Sequence, residues 1–179
     1  MSDSPSPPTS HIRALRVDEV GAALGIVNEA AEAYRGVIPG DCWHDPYMSR
    51  AEIDREIAAG VRFFCHEEAG QLLGVMGIQD VADVTLIRHA YVLSTRQRGG
   101  VGTGLLAELL TLAARPVLIG TWAAAYWAIG FYEKNGFTLV SPAEKNRLLG
   151  AYWDISVRQV ETSVVLADER ARREIVREG

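Results

Sequence analysis

The order of the patterns in the chain predicts an α/β protein built on one central mixed sheet with helices on both faces. Three observations predict it. Three extended segments follow one another between residues 61 and 93, separated only by short turns, and read as an antiparallel meander. A cluster of glycines then opens a strongly apolar helix. Beyond that helix, strand and helix patterns alternate. A meander followed by alternating elements belongs neither to a purely parallel sheet nor to a sandwich.

Each element has its own reason. His11 to Leu15 is a short strand candidate, and in Asp18 to Tyr34 the residues Val20, Leu24, Val27 and Ala31 recur at helical spacing. Gly36 to Met48 carries prolines, acids and aromatics and reads as a loop of the kind that lines a binding site. Ser49 and Glu52 match the capping-box pattern and start a second helix through Ala59. The meander is VRFFCHEEAGQLLGVMGIQDV followed by VTLIRHAYVL, with turns at Glu67 to Gly70 and Ala82-Asp83. Leu105, Leu106, Leu109, Leu110 and Ala113 make a buried helix that must stop before Pro116, and PVLIGTW is a core strand. Ala123 to Asn135 is helical, with Gly136 where a left-handed cap belongs; FTLV restarts a strand, and Val157 to Leu166 reads as the last one. The charged stretch from Asp168 to Gly179 reads as a solvated helix or a frayed tail, and residues 1–10, rich in serine and proline, as a disordered lead-in. One domain over residues 11–167 is expected.

Bulk properties remove several classes of function. The 179 residues suffice for one full core. A net charge of −5 leaves no basic footprint for nucleic acid, so no nucleic-acid partner is expected. The two cysteines, Cys42 and Cys65, lack metal-ligand spacing, so no metal is expected and reduced thiols are the default. No apolar run approaches the roughly 20 residues of a membrane-spanning helix. Neither a secretion signal nor a membrane partner is indicated, and a cytoplasmic location is the expectation.

The stretch RQRGGVGTGLLAELL, Arg96 to Leu110, asks why glycines precede a helix that they weaken. A helix N-terminus presents unpaired N–H groups and partial positive charge, and side-chain-free residues let an anion approach them. A P-loop would need a lysine after the glycines, and a dinucleotide-binding turn would need GxGxxG; the spacing here is GxGxG, at Gly100, Gly102 and Gly104. Close packing alone is the competing reading.

Gln97-Arg98-Gly99-Gly100-Val101-Gly102 matches the pattern Q/R-x-x-G-x-G/A, and AIGFYEKNGF, Ala128 to Phe137, matches A-x-x-FYEK-x-GF farther along. With these two motifs the chain resembles the GNAT superfamily of acyl-CoA-dependent N-acyltransferases, from about Ile12 to Leu166. The resemblance implies a mostly antiparallel mixed sheet of about six to seven strands. It also implies acetyl-CoA as co-substrate, and an enzyme that acetylates a primary amine of a small molecule by direct attack in a ternary complex. By the same resemblance, the N–H groups of Arg98 to Thr103, with Gln97 and Gly104 at the margins, hold the pyrophosphate. Tyr91, Val92 and Leu93 pair with the pantetheine arm as an added strand would.

In the family, the hydroxyl at the position of Tyr132 protonates the departing thiolate, and a phenol stays protonated at neutral pH. Simple packing of Tyr132 on the sheet is the other reading. The carbonyl is polarised in relatives by a backbone N–H at a strand bulge, and Val92 is the expected donor. Many relatives carry a glutamate base on this strand, whereas here it reads Thr85-Leu86-Ile87-Arg88-His89. His89 is one candidate for the base, since histidine changes charge near neutral pH; Glu29, Glu32, Asp80 and Asp83 are weaker ones. Ala125 stands where many relatives have a cofactor-contacting asparagine. Trp122, Tyr126 and Trp127 read as core or cofactor-wall aromatics, core first.

The acceptor is expected between Tyr34 to Met48 and Ala143 to Trp153. There Asp41, Asp45, Glu52 and Asp154 suit a cationic amine, and Trp43, Tyr47, Tyr152 and Trp153 an aromatic one. Length and motif order resemble the subgroup that includes phosphinothricin acetyltransferase, which implies a small amino-acid-like acceptor. A catalytically silent acyl-CoA-binding module, acetylation of a protein amine and a homodimer using the FFC or YW pairs remain alternatives.

Overall fold

The computed structural model describes residues 10–178. The lead-in expected over residues 1–10 lies outside them except for Ser10, which begins the first strand. The strands are β1 (Ser10–Ala14), β2 (Arg62–Glu68), β3 (Gln71–Val81), β4 (Val84–Val92), β5 (Val117–Trp122), β6 (Thr138–Leu139) and β7 (Ser163–Ala167). The helices are α1 (Val20–Ala31), α2 (Arg50–Ala58), α3 (Val101–Leu112), α4 (Tyr126–Lys134), α5 (Pro142–Tyr152), α6 (Val157–Thr162) and α7 (Glu169–Glu178).

All seven strands join one sheet in the order β1-β2-β3-β4-β5-β7-β6. Every pairing is antiparallel except β4 with β5, which is parallel and covers only Thr85 to Ile87 against Val117 to Ile119. Past Ile87 and Ile119 the two strands have no register with each other, so the sheet splays into a cleft. That splay sets the position of everything discussed below.

Apolar side chains gather on each side of the sheet. Leu105, Leu106 and Leu109 of α3 pack with Met76, Ile78, Ile87, Ile119 and Tyr132 on one face. Ala23, Ile26 and Val27 of α1 and Ile53 of α2 pack with Phe63, Cys65 and Val75 on the other. Phe63 and Cys65 are thereby interior, while Phe64 between them is half-buried.

The expected α2 cap is present: Ser49 N–H donates to Glu52 Oε2 at 2.6 Å and Glu52 N–H to Ser49 Oγ at 3.2 Å. Gly136 adopts φ +90° after α4, where Gly136 and Phe137 N–H groups close the helix end. The final strand begins later than the pattern suggests. Val157 to Thr162 is α6, because Ser156 accepts from Gln159 N–H and Gln159 reaches back to Ser156 N–H, so the capping box overrides the β-like run. The segment before it forms α5, capped by Ser141 with Pro142 in the first turn. Of the charged C-terminal stretch, Glu169–Glu178 is the helix α7, exposed over residues 169–175 except along one edge. Ala171 is buried, Ile175 packs beneath the sheet, and Arg170 donates to the carbonyls of Ala113, Ala114 and Arg115.

Candidate active site

β4 carries a bulge. Arg88 pairs with Gly77 and Tyr91 with Val75, so Met76 alone faces His89 and Ala90. His89 takes φ +51° to make room for the extra residue. Side chains of a regular strand alternate between faces, but here Arg88 and His89 both reach the α2 face. Arg88 Nη1 lies 2.9 Å and His89 Nε2 3.1 Å from the same oxygen, Glu56 Oε2. Arg88 also donates to Gln79 Oε1 at 2.9 Å, and the His89 ring stacks on Phe63 with centroids 5.6 Å apart. Burial raises the Glu56 carboxyl, but the hydrogen bond from His89 and the charges of His89 and Arg88 outweigh it, and the group ends below its ordinary value. Burial lowers Arg88 from its ordinary value, with Glu56 opposing.

Above the bulge the hydrogen-bond parity of β4 is fixed by Leu93, whose N–H donates to Leu73 O at 3.0 Å. Val92, opposite Gly74, is therefore in a non-hydrogen-bonded pair, and its N–H points away from β3 into the splay beside β5. The bulge itself sits at His89-Ala90, ahead of Val92 rather than at it. Gln97 Nε2 reaches Val92 O at 3.4 Å.

At the helix end of the cleft, Gly100 is the N-cap of α3 with φ +83° and no side-chain cap. The first intrahelical bond is Gly104 N–H to Gly100 O at 2.8 Å, which leaves the N–H groups of Val101, Gly102 and Thr103 ahead of it. A Cβ at Gly100 would meet nothing within 4 Å, and Ser94 through Gly100 are exposed, so the turn that leads into these amides is open. The other glycines serve packing: a Cβ on Gly104 would lie 3.3 Å from Ile12 Cδ1, and one on Gly102 3.4 Å from the Phe131 ring. The anion-cradle and close-packing readings thus divide the glycines between them. Arg98 shares the loop, at φ +63°.

Tyr132 on α4 is 6% exposed, and burial pushes its phenol above its ordinary value of 10.0. It packs edge-on to Phe131 and Phe137 and also lines the cleft, so its ring belongs to the core and its environment to the site. Phe131 covers Gly102, which links the α3 turn to Tyr132. The cleft cavity, about 190 Å³, is lined from Ile87 to Tyr91 on β4, from Gly120 to Trp122 on β5, by Ala128 and Tyr132 on α4, and by Tyr34, Tyr47 and Trp153 among others. His89, Tyr91 and Tyr132 are thus brought to one cavity.

Other candidates are placed elsewhere. The Glu29 carboxylate is held by Ser94 N–H and Oγ, Glu32 by Arg35, Asp80 by Thr85 Oγ1, and Asp83 by the Tyr152 hydroxyl; each has a structural partner and none lines the cavity. Asp41 pairs with Arg158 at 3.0 Å, Asp45 with Arg35 at 3.3 Å, and Glu52 is consumed by its cap. Tyr126 and Trp127 are not core: they are 78% and 49% exposed, and Trp127 stacks on Tyr34 at 5.6 Å. Trp122 is half-buried and donates to Tyr47 Oη at 3.0 Å. Ala125 is fully buried at the α4 N-cap and supplies no side-chain cap. Among the described residues no cluster of His, Cys, Asp or Glu could hold a metal, and no helix is long and apolar enough to cross a membrane. Glu56 was not legible in the sequence, because its partners lie 32 and 33 residues away and only the fold joins them.

The sheet thus parts between two parallel strands, with bare helix amides at one end of the gap and a buried tyrosine beside it. Residues 59–139 match the model of the acetyltransferase (GNAT) domain. The matched stretch runs from the end of α2 through β6 and holds the bulged β4, the α3 turn and Tyr132. No curated protein sequence matches it significantly. Among solved structures it is similar to the PaiA N-acetyltransferase from Thermoplasma acidophilum in complex with coenzyme A, with TM-score 0.68, 16% identity, and coverage of 89% of this chain and 98% of that one. An acetyltransferase of the GNAT family from Staphylococcus aureus Mu50 gives 0.67, 14%, 89% and 98% in the same terms. The ribosomal-protein-S18-alanine N-acetyltransferase from Escherichia coli gives 0.60, 19%, 89% and 93%. Acetyl-CoA is the co-substrate that fits this domain. The open amides at Gly100 to Thr103 and the unpaired edge of β4 suit its pyrophosphate and its amide-bearing arm.

Proposed function

We propose that the protein moves an acetyl group from acetyl-CoA to the primary amine of a small molecule, by direct attack with both substrates bound. The observation that carries this reading is that His89, held by Glu56, and Tyr132 line one cleft in the splay between β4 and β5, while register turns Val92 N–H away from β3 toward the same splay. The N–H groups of Val101 to Thr103, with Gln97, Arg98, Gly99 and Gly104 around them, hold the pyrophosphate. Tyr91 to Leu93 hold the pantetheine arm along the free edge of β4.

Each residue then has one task. Val92 N–H donates to the thioester carbonyl oxygen and stabilises the charge that gathers there. His89 accepts the proton that the amine nitrogen must lose, directly or through one water, while Glu56 holds the imidazole and offsets its positive charge. As the nitrogen–carbon bond forms and the carbon–sulfur bond breaks, Tyr132 delivers its proton to the departing sulfur. Burial suits Tyr132 to this, because it keeps the phenol protonated throughout the neutral range. The amine loses one proton to His89 and the sulfur gains one from Tyr132; transfer of the His89 proton through solvent to the phenolate then restores both groups.

Thiol release from acetyl-CoA across a library of primary amines tests the reading, with calorimetry of coenzyme A binding alongside. Amine-dependent thiol release that disappears in Tyr132→Phe supports it. Tight coenzyme A binding with no amine turned over would instead favour a silent binding module.

A further inference from the structure

The cavity has a chemical bias that the transfer reaction does not require. Six rings contribute to its wall: Tyr34, Tyr47, Tyr91, Trp122, Tyr132 and Trp153. No aspartate or glutamate lines it, and its one permanently charged member is Arg88. The acids that would suit a polyamine are spent elsewhere, Asp41 on Arg158, Asp45 on Arg35 and Glu52 on the α2 cap, and Asp154 is exposed outside the lining.

The rings are already set against one another. Tyr34 and Tyr47 lie 5.6 Å apart, Tyr91 meets them edge-on at 6.5 and 6.4 Å, and the Trp122 indole N–H is fixed on Tyr47 Oη. Trp153 lies close on the β5 backbone because residue 120 is glycine; a Cβ there would come within 3.3 Å of the indole ring. A wall of rings with fixed orientations loses little freedom when a flat guest enters. The 190 Å³ available is of the order of the ~150 Å³ apolar cavity that holds a benzene ring. A second ammonium group, as every polyamine brings, would find no carboxylate on the lining, and the one behind it, Glu56, is already shared by Arg88 and His89.

We propose that the acceptor is a primary amine joined by a short alkyl chain to a planar aromatic ring, the ring seated among Tyr34, Tyr47, Trp122 and Trp153. The proposal rests on the acetyltransferase reading above. The products are the N-acetylated arylalkylamine and free coenzyme A.

The experiment measures thiol release from acetyl-CoA with 2-phenylethylamine, tryptamine, 2-cyclohexylethylamine, spermidine and an alanine-terminated hexapeptide, with coenzyme A affinity measured in parallel. The expected result is a kcat/KM for both aromatic amines at least about tenfold above the cyclohexyl analogue, which has the same reach but no flat ring. Spermidine and the peptide fall lower still. In Trp153→Ala the advantage of the aromatic amines shrinks through KM while coenzyme A affinity is unchanged, which also shows that the variant is folded. Turnover led by spermidine, the peptide or the cyclohexyl amine overturns the aromatic proposal and leaves the acetyltransferase reading intact. Absence of turnover with every amine overturns both.

Discussion

His89 Nε2 lies 3.1 Å from Glu56 Oε2, across a bulge that turns two successive side chains of β4 to one face of the sheet. A base held by a carboxylate is oriented before the substrate arrives, and the carboxylate stabilises the charge it acquires. Glu56→Gln keeps the shape and removes the charge. It is expected to lower kcat by about tenfold, and His89→Ala by on the order of a hundredfold, with KM for acetyl-CoA unchanged in both. Steady-state kinetics on the two variants checks this; unaltered kcat in both would place the base elsewhere.

Tyr132→Phe deletes one hydroxyl from a ring that is otherwise packed between Phe131 and Phe137. Stability and coenzyme A affinity are expected to persist while kcat falls by roughly a hundredfold. The pH dependence has a definite sign. Burial raises the phenol above 10.0, so its acid form persists past that pH and Tyr132 produces no alkaline fall in rate between pH 7 and 10. A pH–rate profile of kcat over that range is the measurement.

Gly77 pairs with Arg88, at the edge of the bulge. An added Cβ would lie 2.8 Å from Val61 Cγ1 and 3.2 Å from Arg88 O, and backbone cannot move away as a side-chain tip can. Gly77→Ala is expected to cost about 1–3 kcal/mol, seen as a lower urea midpoint at unchanged slope. Because the displaced carbonyl belongs to the bulge, thiol release should fall by more than coenzyme A affinity does.

Acid stability has a local source at the start of the chain. Arg13 hydrogen-bonds both Glu19 and Glu67, and the bond from Arg13 holds the Glu19 carboxyl at about 2 against an ordinary 4.5. A carboxyl lower in the folded state contributes stability that is present above about 4.5 and is lost as pH falls toward about 2. Melting temperature should therefore drop between pH 5 and 2, and Glu19→Gln should start lower at pH 5 and drop less.

The meander, α3 and its glycine turn, α4 and the Gly136 cap were legible because punctuation and apolar spacing there agree with the tertiary result. Val157 to Thr162 was misread because Val157 and Val160 suit a strand as well as a helix turn. The deciding signal, Ser156 followed by Gln159, was in the sequence, as was Ser141 followed by Glu144 before α5. α7 looked solvated because so much of it is charged, yet Ala171 and Ile175, four apart, give it one buried edge. At the site, Tyr132 and the α3 turn were local motifs and could be read. Glu56 could not, since a helix residue's partner on a distant strand follows from topology and bulge register, not from spacing.

Only three register pairs, Thr85 with Val117 through Ile87 with Ile119, hold the β1–β4 half of the sheet to the β5–β7 half. The gap beyond them therefore opens where pairing turns from antiparallel to parallel, and the ladders on either side keep their own hydrogen bonds around it.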